Sequence, residues 1–257
     1  SLKTRFGNLK NVLDETSAQS EILILESPFI ANAEYAEMVR IFGTSVTLID
    51  CSFEPGADAL RLGLERIRAE AEDAVRSGAS HIVLTDEHQS ESRIAMPMIL
   101  ATSAVHSWLT RKGLRTFTSL NVRSAECIDP HYFAVLIGCG ATTVNAYLAQ
   151  DTVQDRIDRG LVEGTLLDAM RRYRDAVNSG LLKIMSKMGI SVISSFRVRL
   201  NFEAVGLSRA MVAEYFPGMH SRISGIGLIG IQHKAEAIHA KGWKGGQDVL
   251  PIGGFYK

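Results

Sequence analysis

Two carboxylates and an imidazole stand together at Asp86-Glu87-His88, one residue beyond the apolar run His81-Ile82-Val83-Leu84. Loops that follow strands are where β/α proteins collect functional side chains, and such a triplet has the donors to bind a metal or share a proton. Adjacent loop residues rarely converge on one ion, however, and no second His/Asp cluster has matching spacing. Asp86 and His88 are therefore expected in a solvated loop. Lys183 and Lys187 lie one turn apart in a helical stretch, placed to complement a helix C-terminus or to cradle an anion. Next, Ser191-Val192-Ile193-Ser194 reads as a strand, which puts Ser195 and Arg197 at its exposed end with Asn201 close behind. That makes Arg197 and Asn201 the most site-like pair. His106 and His131 border apolar runs and read as core or interface residues.

Other motifs carry less. Gly225-Ile226-Gly227-Leu228-Ile229-Gly230 matches G-x-G-x-x-G, but a dinucleotide site needs a strand just before the first glycine. Here residues 217–224 read as a loop, so the glycines are expected to let a helix start close to a neighbour. The G-x-S-x-G elbow, the P-loop pattern and H-E-x-x-H are all absent. Cys51, Cys127 and Cys139 form no Cys-x-x-Cys pair and read as structural thiols in a reducing compartment. No metal site is expected.

The elements that must position these residues follow from periodicity. Ile22-Leu23-Ile24-Leu25, Val46-Thr47-Leu48-Ile49, residues 81–84, residues 116–122 and residues 191–194 read as buried strands, with a sixth at residues 134–137. Leu60, Leu64, Ile67, Ala71 and Val75 recur at helical spacing before Gly78. Pro97 opens a second helix that stops before Gly113. Thr165 with Asp168 resembles a capping box for a helix running to Gly180, and Leu228, Ile231, Ala235 and Ile238 form a last helix. The fold class is α/β, mainly parallel β/α repeats, barrel-like or an incomplete barrel, with five or six strands. A soft subdivision is expected near residues 150–164.

At 257 residues and 46% hydrophobic, the chain can bury a core large enough to fold without disulfides or metal. Its 28 basic residues balance 28 acidic ones, which argues against nucleic acid as a partner. No apolar run approaches the length of a membrane span, and no signal peptide opens the chain, so a cytoplasmic protein is expected.

One set of segments is specific beyond these generalities. Residues 180–191, Gly-Leu-Leu-Lys-Ile-Met-Ser-Lys-Met-Gly-Ile-Ser, closely resemble the large (alpha) subunit of bacterial glutamate synthase. So do Asn201-Phe202-Glu203-Ala204-Val205-Gly206-Leu207 and Ser221-Arg222-Ile223-Ser224-Gly225-Ile226-Gly227-Leu228. Ser1-Leu2-Lys3-Thr4-Arg5-Phe6-Gly7-Asn8, Leu25-Glu26-Ser27-Pro28, Gly113-Leu114-Arg115-Thr116 and residues 140–149 continue the match from end to end. Some positions depart from the family pattern: Glu87 stands for an arginine, Phe196 for a tyrosine, and Val198-Arg199 for small residues.

The resemblance implies that residues 1–257 are the later part of the central domain, between a glutaminase domain and a flavin barrel with an iron–sulfur cluster. Residues 250–257 look like the junction into that barrel. In that family ammonia released from glutamine passes through a tunnel to 2-oxoglutarate, and the imine is reduced at FMN to glutamate. The segment itself, opening on Ser1 rather than a cysteine, is expected to be catalytically silent and to bind neither FMN nor an iron–sulfur cluster. Its implied partners are the glutaminase and flavin domains of the same chain, with a small subunit or ferredoxin further off. Two other readings compete: a self-contained β/α enzyme using Asp86, His88 and Arg197, and an anion-binding module centred on Lys183, Lys187 and Arg197.

Overall fold

A computed structural model of the chain describes residues 1–10, 22–197 and 201–244. Its centre is strand β5 (His81–Thr85), buried at all five positions. Unbroken burial of that kind needs a parallel sheet covered on both faces. Strands β3 (Val46–Asp50), β7 (Ser119–Arg123) and β8 (Thr143–Asn145) complete the sheet in the order β3-β5-β7-β8, every pair parallel. Beyond β8, Phe29 bridges Val144 in parallel, and the Ile30 amide donates to the Val144 carbonyl at 3.0 Å.

Helices α2 (Ala59–Arg76), α3 (Met98–Arg111) and α4 (Pro130–Gly138) make the crossovers between these strands. Leu60, Leu64, Ile67 and Ala71 on α2 are fully buried, as their spacing predicts. Each large apolar side chain so placed contributes about 1.5–3 kcal/mol. The short strands β4 (Ser52–Phe53) and β6 (Ile94–Ala95) pair antiparallel above the sheet's C-terminal end. Helices α1 (Asn32–Phe42), α5 (Tyr147–Asp158) and α6 (Leu166–Lys187) flank the β8 side. Thr165 caps α6 as predicted, its hydroxyl accepting from the Asp168 amide at 3.2 Å.

A last unit holds the two-stranded parallel sheet of β9 (Glu203–Leu207) and β10 (His220–Ile226), joined by α8 (Arg209–Tyr215) and followed by α9 (Leu228–Trp243). The class is thus α/β with an open parallel sheet, and among the described residues the strands close into no barrel.

Several expected elements differ. Residues 134–137 lie inside α4, whose N-cap Asp129 accepts from the Tyr132 amide at 2.9 Å with Pro130 at the first helical position. The run looked like a strand because this helix is apolar nearly all round, which is what full burial demands. Residues 193–196 form α7 (Ile193–Phe196), a single turn that buries Ile193 and Phe196, not a strand. Helix α6 does not stop at Gly180, which packs against the Pro130 ring, but continues to Lys187. Strand β2 (Leu23–Leu25) pairs antiparallel with β1 (Thr4–Phe6), leaving Leu23 and Ile24 exposed rather than buried. Residues 217–224 are mostly strand β10 and not a loop.

Candidate functional site

The four parallel strands end in register at Asp50, Thr85, Arg123 and Asn145, a row of polar residues along the sheet's C-terminal edge. In each strand an apolar residue directly precedes the polar one, and this offset marks where buried strand gives way to loop. Ligands of open α/β sheets bind at this edge.

Arg123 is the centre of the row. Its Nη2 donates to Glu87 Oε1 at 2.6 Å, its Nε lies 2.5 Å from Glu87 Oε2, and its Nη1 donates to Asn145 Oδ1 at 2.5 Å. The guanidinium is held between two aromatic faces, 4.4 Å from the Tyr35 centroid and 4.6 Å from that of Tyr147. Asn145 in turn donates to the Ile30 carbonyl at 2.9 Å and to Asn32 Oδ1 at 3.0 Å. One guanidinium therefore clamps α1, β7, β8, α5 and the loop after β5. The Arg123 contact holds the Glu87 carboxyl below its usual range.

Asp86 is fully buried, so the expected solvated loop is not observed at this residue. Its carboxylate accepts from the Ala125 amide at 2.9 and 3.1 Å and pairs with the Tyr147 hydroxyl. Burial raises its pKa to about 6, and the Ala125 hydrogen bond only partly offsets that. Beside it, Glu126 accepts from the Met98 amide at 3.1 Å and from the Tyr132 hydroxyl. Asp86 and Glu126 line one side of a cavity of about 340 Å³, with Lys234, Ile238 and His239 of α9 on the other. Further along the edge, Asp50 pairs with Arg93 at 2.8 Å. The rest of the row pairs with itself and ties loops to strand ends.

The structure does not bring the other expected site residues to this edge. His88 is exposed on the loop after Glu87. Arg197 donates to the carbonyl of Thr142, which precedes β8, and so sits at the opposite, N-terminal end of the sheet from Asp86. No single cleft therefore holds Asp86, His88 and Arg197. Ser195 is exposed on α7, and Asn201 donates to the Phe196 carbonyl at 2.6 Å. Lys183 and Lys187 are exposed on α6. Val198 and Arg199, and the expected flavin junction at residues 250–257, lie outside the described residues. His106 accepts a hydrogen bond from Arg115, and His131 stands exposed at the start of α4.

The glycine motif does have the strand and helix that a dinucleotide site requires, β10 before it and α9 after it. Its first glycine is explained by packing: a Cβ on Gly225 would lie 2.1 Å from the Gly206 carbonyl oxygen of β9. The residues missed from sequence are Tyr35, Arg123, Asn145 and Tyr147. Aligning the strand ends would have exposed Arg123 and Asn145, whereas the tyrosines come from helices at distant positions.

Comparison with known families settles the relationship. A family model described as the glutamate synthase central domain matches residues 1–208. The chain belongs to this family. The NADPH-type glutamate synthase large chain of Azospirillum brasilense is 58% identical over all of the present chain, and that of Bacillus subtilis is 35% identical over 95% of it. A ferredoxin-dependent glutamate synthase of Pyropia yezoensis is 32% identical over 94%. The chain spans only 17%, 16% and 16% of the lengths of these relatives. The central-domain resemblance seen from residue 1 to residue 208 is thereby borne out.

Proposed function

We propose that this central domain is a connector within a glutamate synthase large chain and takes no part in bond making itself. The parent reaction on this reading converts glutamine and 2-oxoglutarate, with a reductant, to two glutamates. The domain joins a glutaminase unit to a flavin unit in the cytoplasm and fixes the geometry along which ammonia passes between them. An enclosed passage raises the effective concentration of ammonia and keeps water from the imine. The observation that carries the reading is the 58% identity across the whole chain to one stretch of a much longer synthase.

The sheet edge supports it. Its charged side chains are largely engaged with one another, an arrangement suited to rigidity. Residues 1–257 are read as one unit with a soft subdivision near residues 150–164, where Gly160 and Gly164 both adopt positive φ. FMN and an iron–sulfur cluster are implied for the parent chain. The described residues do not fit a cluster, because no three His, Cys, Asp or Glu side chains gather to hold a metal ion. Cys51 and Cys127 are buried, and burial pushes both thiols well above the usual range, against the thiolate that a cluster requires. No step is therefore assigned to either group here.

The test uses both the 257-residue chain and a large chain carrying it. The domain alone should be colourless and should not hydrolyse glutamine; stoichiometric flavin absorbance would overturn silence. In the large chain, charging an exposed apolar strand pair with Val205→Lys and Ile223→Lys should lower glutamine-dependent glutamate synthesis several-fold. Ammonia-dependent synthesis should persist. An equal loss of both activities, or no loss of either, would contradict the connecting role.

A further inference from the structure

At the N-terminal end of the four-stranded sheet two guanidiniums stand without an ion-pair partner among the described residues. Arg115 donates from Nε to His106 Nδ1 at 2.9 Å, from Nη1 to the Thr118 carbonyl at 2.7 Å, and from Nη2 to the Gly140 carbonyl at 2.8 Å and the Thr142 hydroxyl at 3.2 Å. Arg197 reaches the same residue from the other side, its Nη2 donating to the Thr142 carbonyl at 3.2 Å. Its Nε is closed off from solvent and has no hydrogen-bond partner among the described residues. Two guanidiniums thus converge on Thr142.

No ion pair among the described residues includes either arginine. Burial, with a further push from the Arg197 charge, lowers the pKa of Arg115 to about 9. Burial lowers that of Arg197 to about 10. A helix C-terminus is the ordinary explanation for a lone arginine in such a place, and the Gly140 carbonyl just past α4 supplies one. That end carries about half a unit of negative charge, however, against two whole guanidinium charges. The carbonyls satisfy Arg115 almost completely and leave Arg197 with one bond. Buried cations are otherwise paired, because leaving one unpaired costs several kcal/mol.

We infer that Arg115 and Arg197 form a binding site for one oxyanion of phosphate size. The partly exposed Arg197 side chain makes the direct contact, and Arg115 supplies the second charge from a fixed position. A planar guanidinium can give two parallel N–H bonds to such a group, which an ammonium cannot. The site is independent of the connector reading, since it requires neither a neighbouring domain nor catalysis.

Calorimetric titration of inorganic phosphate, sulfate and acetate into the 257-residue chain at low ionic strength tests the inference. Arg197→Gln and Arg197→Lys serve as variants, each checked for folding by far-UV circular dichroism. Phosphate should bind saturably at one site, with sulfate competing and chloride not. Arg197→Gln should weaken binding about tenfold or more. Arg197→Lys, which keeps the charge and loses the fork, should fall between. Phosphate should also raise Tm of the unaltered chain and not that of Arg197→Gln. Because Arg197 holds a single carbonyl, these variants should fold; if the Gln variant does not, the Lys variant carries the comparison. Absence of saturable binding up to about 20 mM, where screening is still moderate, or equal binding by every variant, overturns the site.

Discussion

A carboxyl as enclosed as that of Asp86 keeps its proton to about pH 6, so the folded chain binds more protons than the unfolded chain between about pH 4 and 6. Its contribution to stability is present below the unfolded pKa and falls by about 3 kcal/mol as pH rises through that window. His81 works in the opposite sense. It is buried against Phe6 and Phe42, and desolvation lowers its pKa to about 4. The unfolded chain then binds more protons between about pH 4 and 6.5, and stability rises with pH by a similar amount. The two nearly cancel. Asp86→Asn should therefore unmask His81, with denaturant-measured stability climbing by about 3 kcal/mol from pH 4 to pH 6.5. A rise no steeper than that of the unaltered chain would contradict this. At the clamp, Arg123→Gln strands Glu87 and empties the space between two tyrosines, at a cost of about 2 kcal/mol. For a chain of this size that corresponds to a fall in Tm of about 4–8 °C by calorimetry. Glu87→Gln, removing the more exposed partner, should cost less.

Elements were legible from sequence where local chemistry and burial agree. The α2 stripe, Pro97 before α3 and the Thr165 cap all stand where periodicity and capping predict, and β3, β5 and β7 emerge from short runs rich in apolar and β-branched residues. The strand expected at residues 134–137 failed because an all-apolar run of four is ambiguous until Asp129-Pro130 is weighed as a helix start. Strand β8 was missed because three residues carry no period. Of the candidate site, Asp86 was found and its setting was not: burial comes from α5, whose Tyr147 is remote in sequence. Glycines show how packing overrides propensity. In mid-helix, Gly180→Ala should gain about 1 kcal/mol from propensity alone. The new methyl, however, would lie 2.5 Å from Pro130 Cβ, and such overpacking costs about 1–3 kcal/mol. The net effect in chemical denaturation should be destabilising or neutral. Gly140→Ala should be far worse, because Gly140 has φ of 119° and its Cβ would fall 2.2 Å from the His106 ring. A loss of more than about 2 kcal/mol is expected in the same measurement.

At the scale of the molecule, β9 and β10 hold an exposed apolar pair on a parallel sheet. Val205 and Ile223 are register partners and remain 66% and 62% exposed. Parallel strands ordinarily lie covered on both faces, and apolar pairs left in water mark surfaces that associate. In the isolated chain Val205→Thr with Ile223→Thr should change stability by no more than about 0.5 kcal/mol. It should reduce self-association in sedimentation at high concentration; unchanged association would show that this face is not the adhesive one.

The order of the central sheet bears on how the chain is made. Strands β3, β5, β7 and β8 lie side by side in the sequence in which they are synthesised, so each one leaving the ribosome meets its neighbour already in place. Every addition spans one crossover helix, a short loop to close. The contact between residue 1 and α7, where the Ile193 amide donates to the Ser1 carbonyl at 3.0 Å, must wait until all four sheet strands have been made. The sheet sets first, and the seam between residue 1 and α7 is sealed after it.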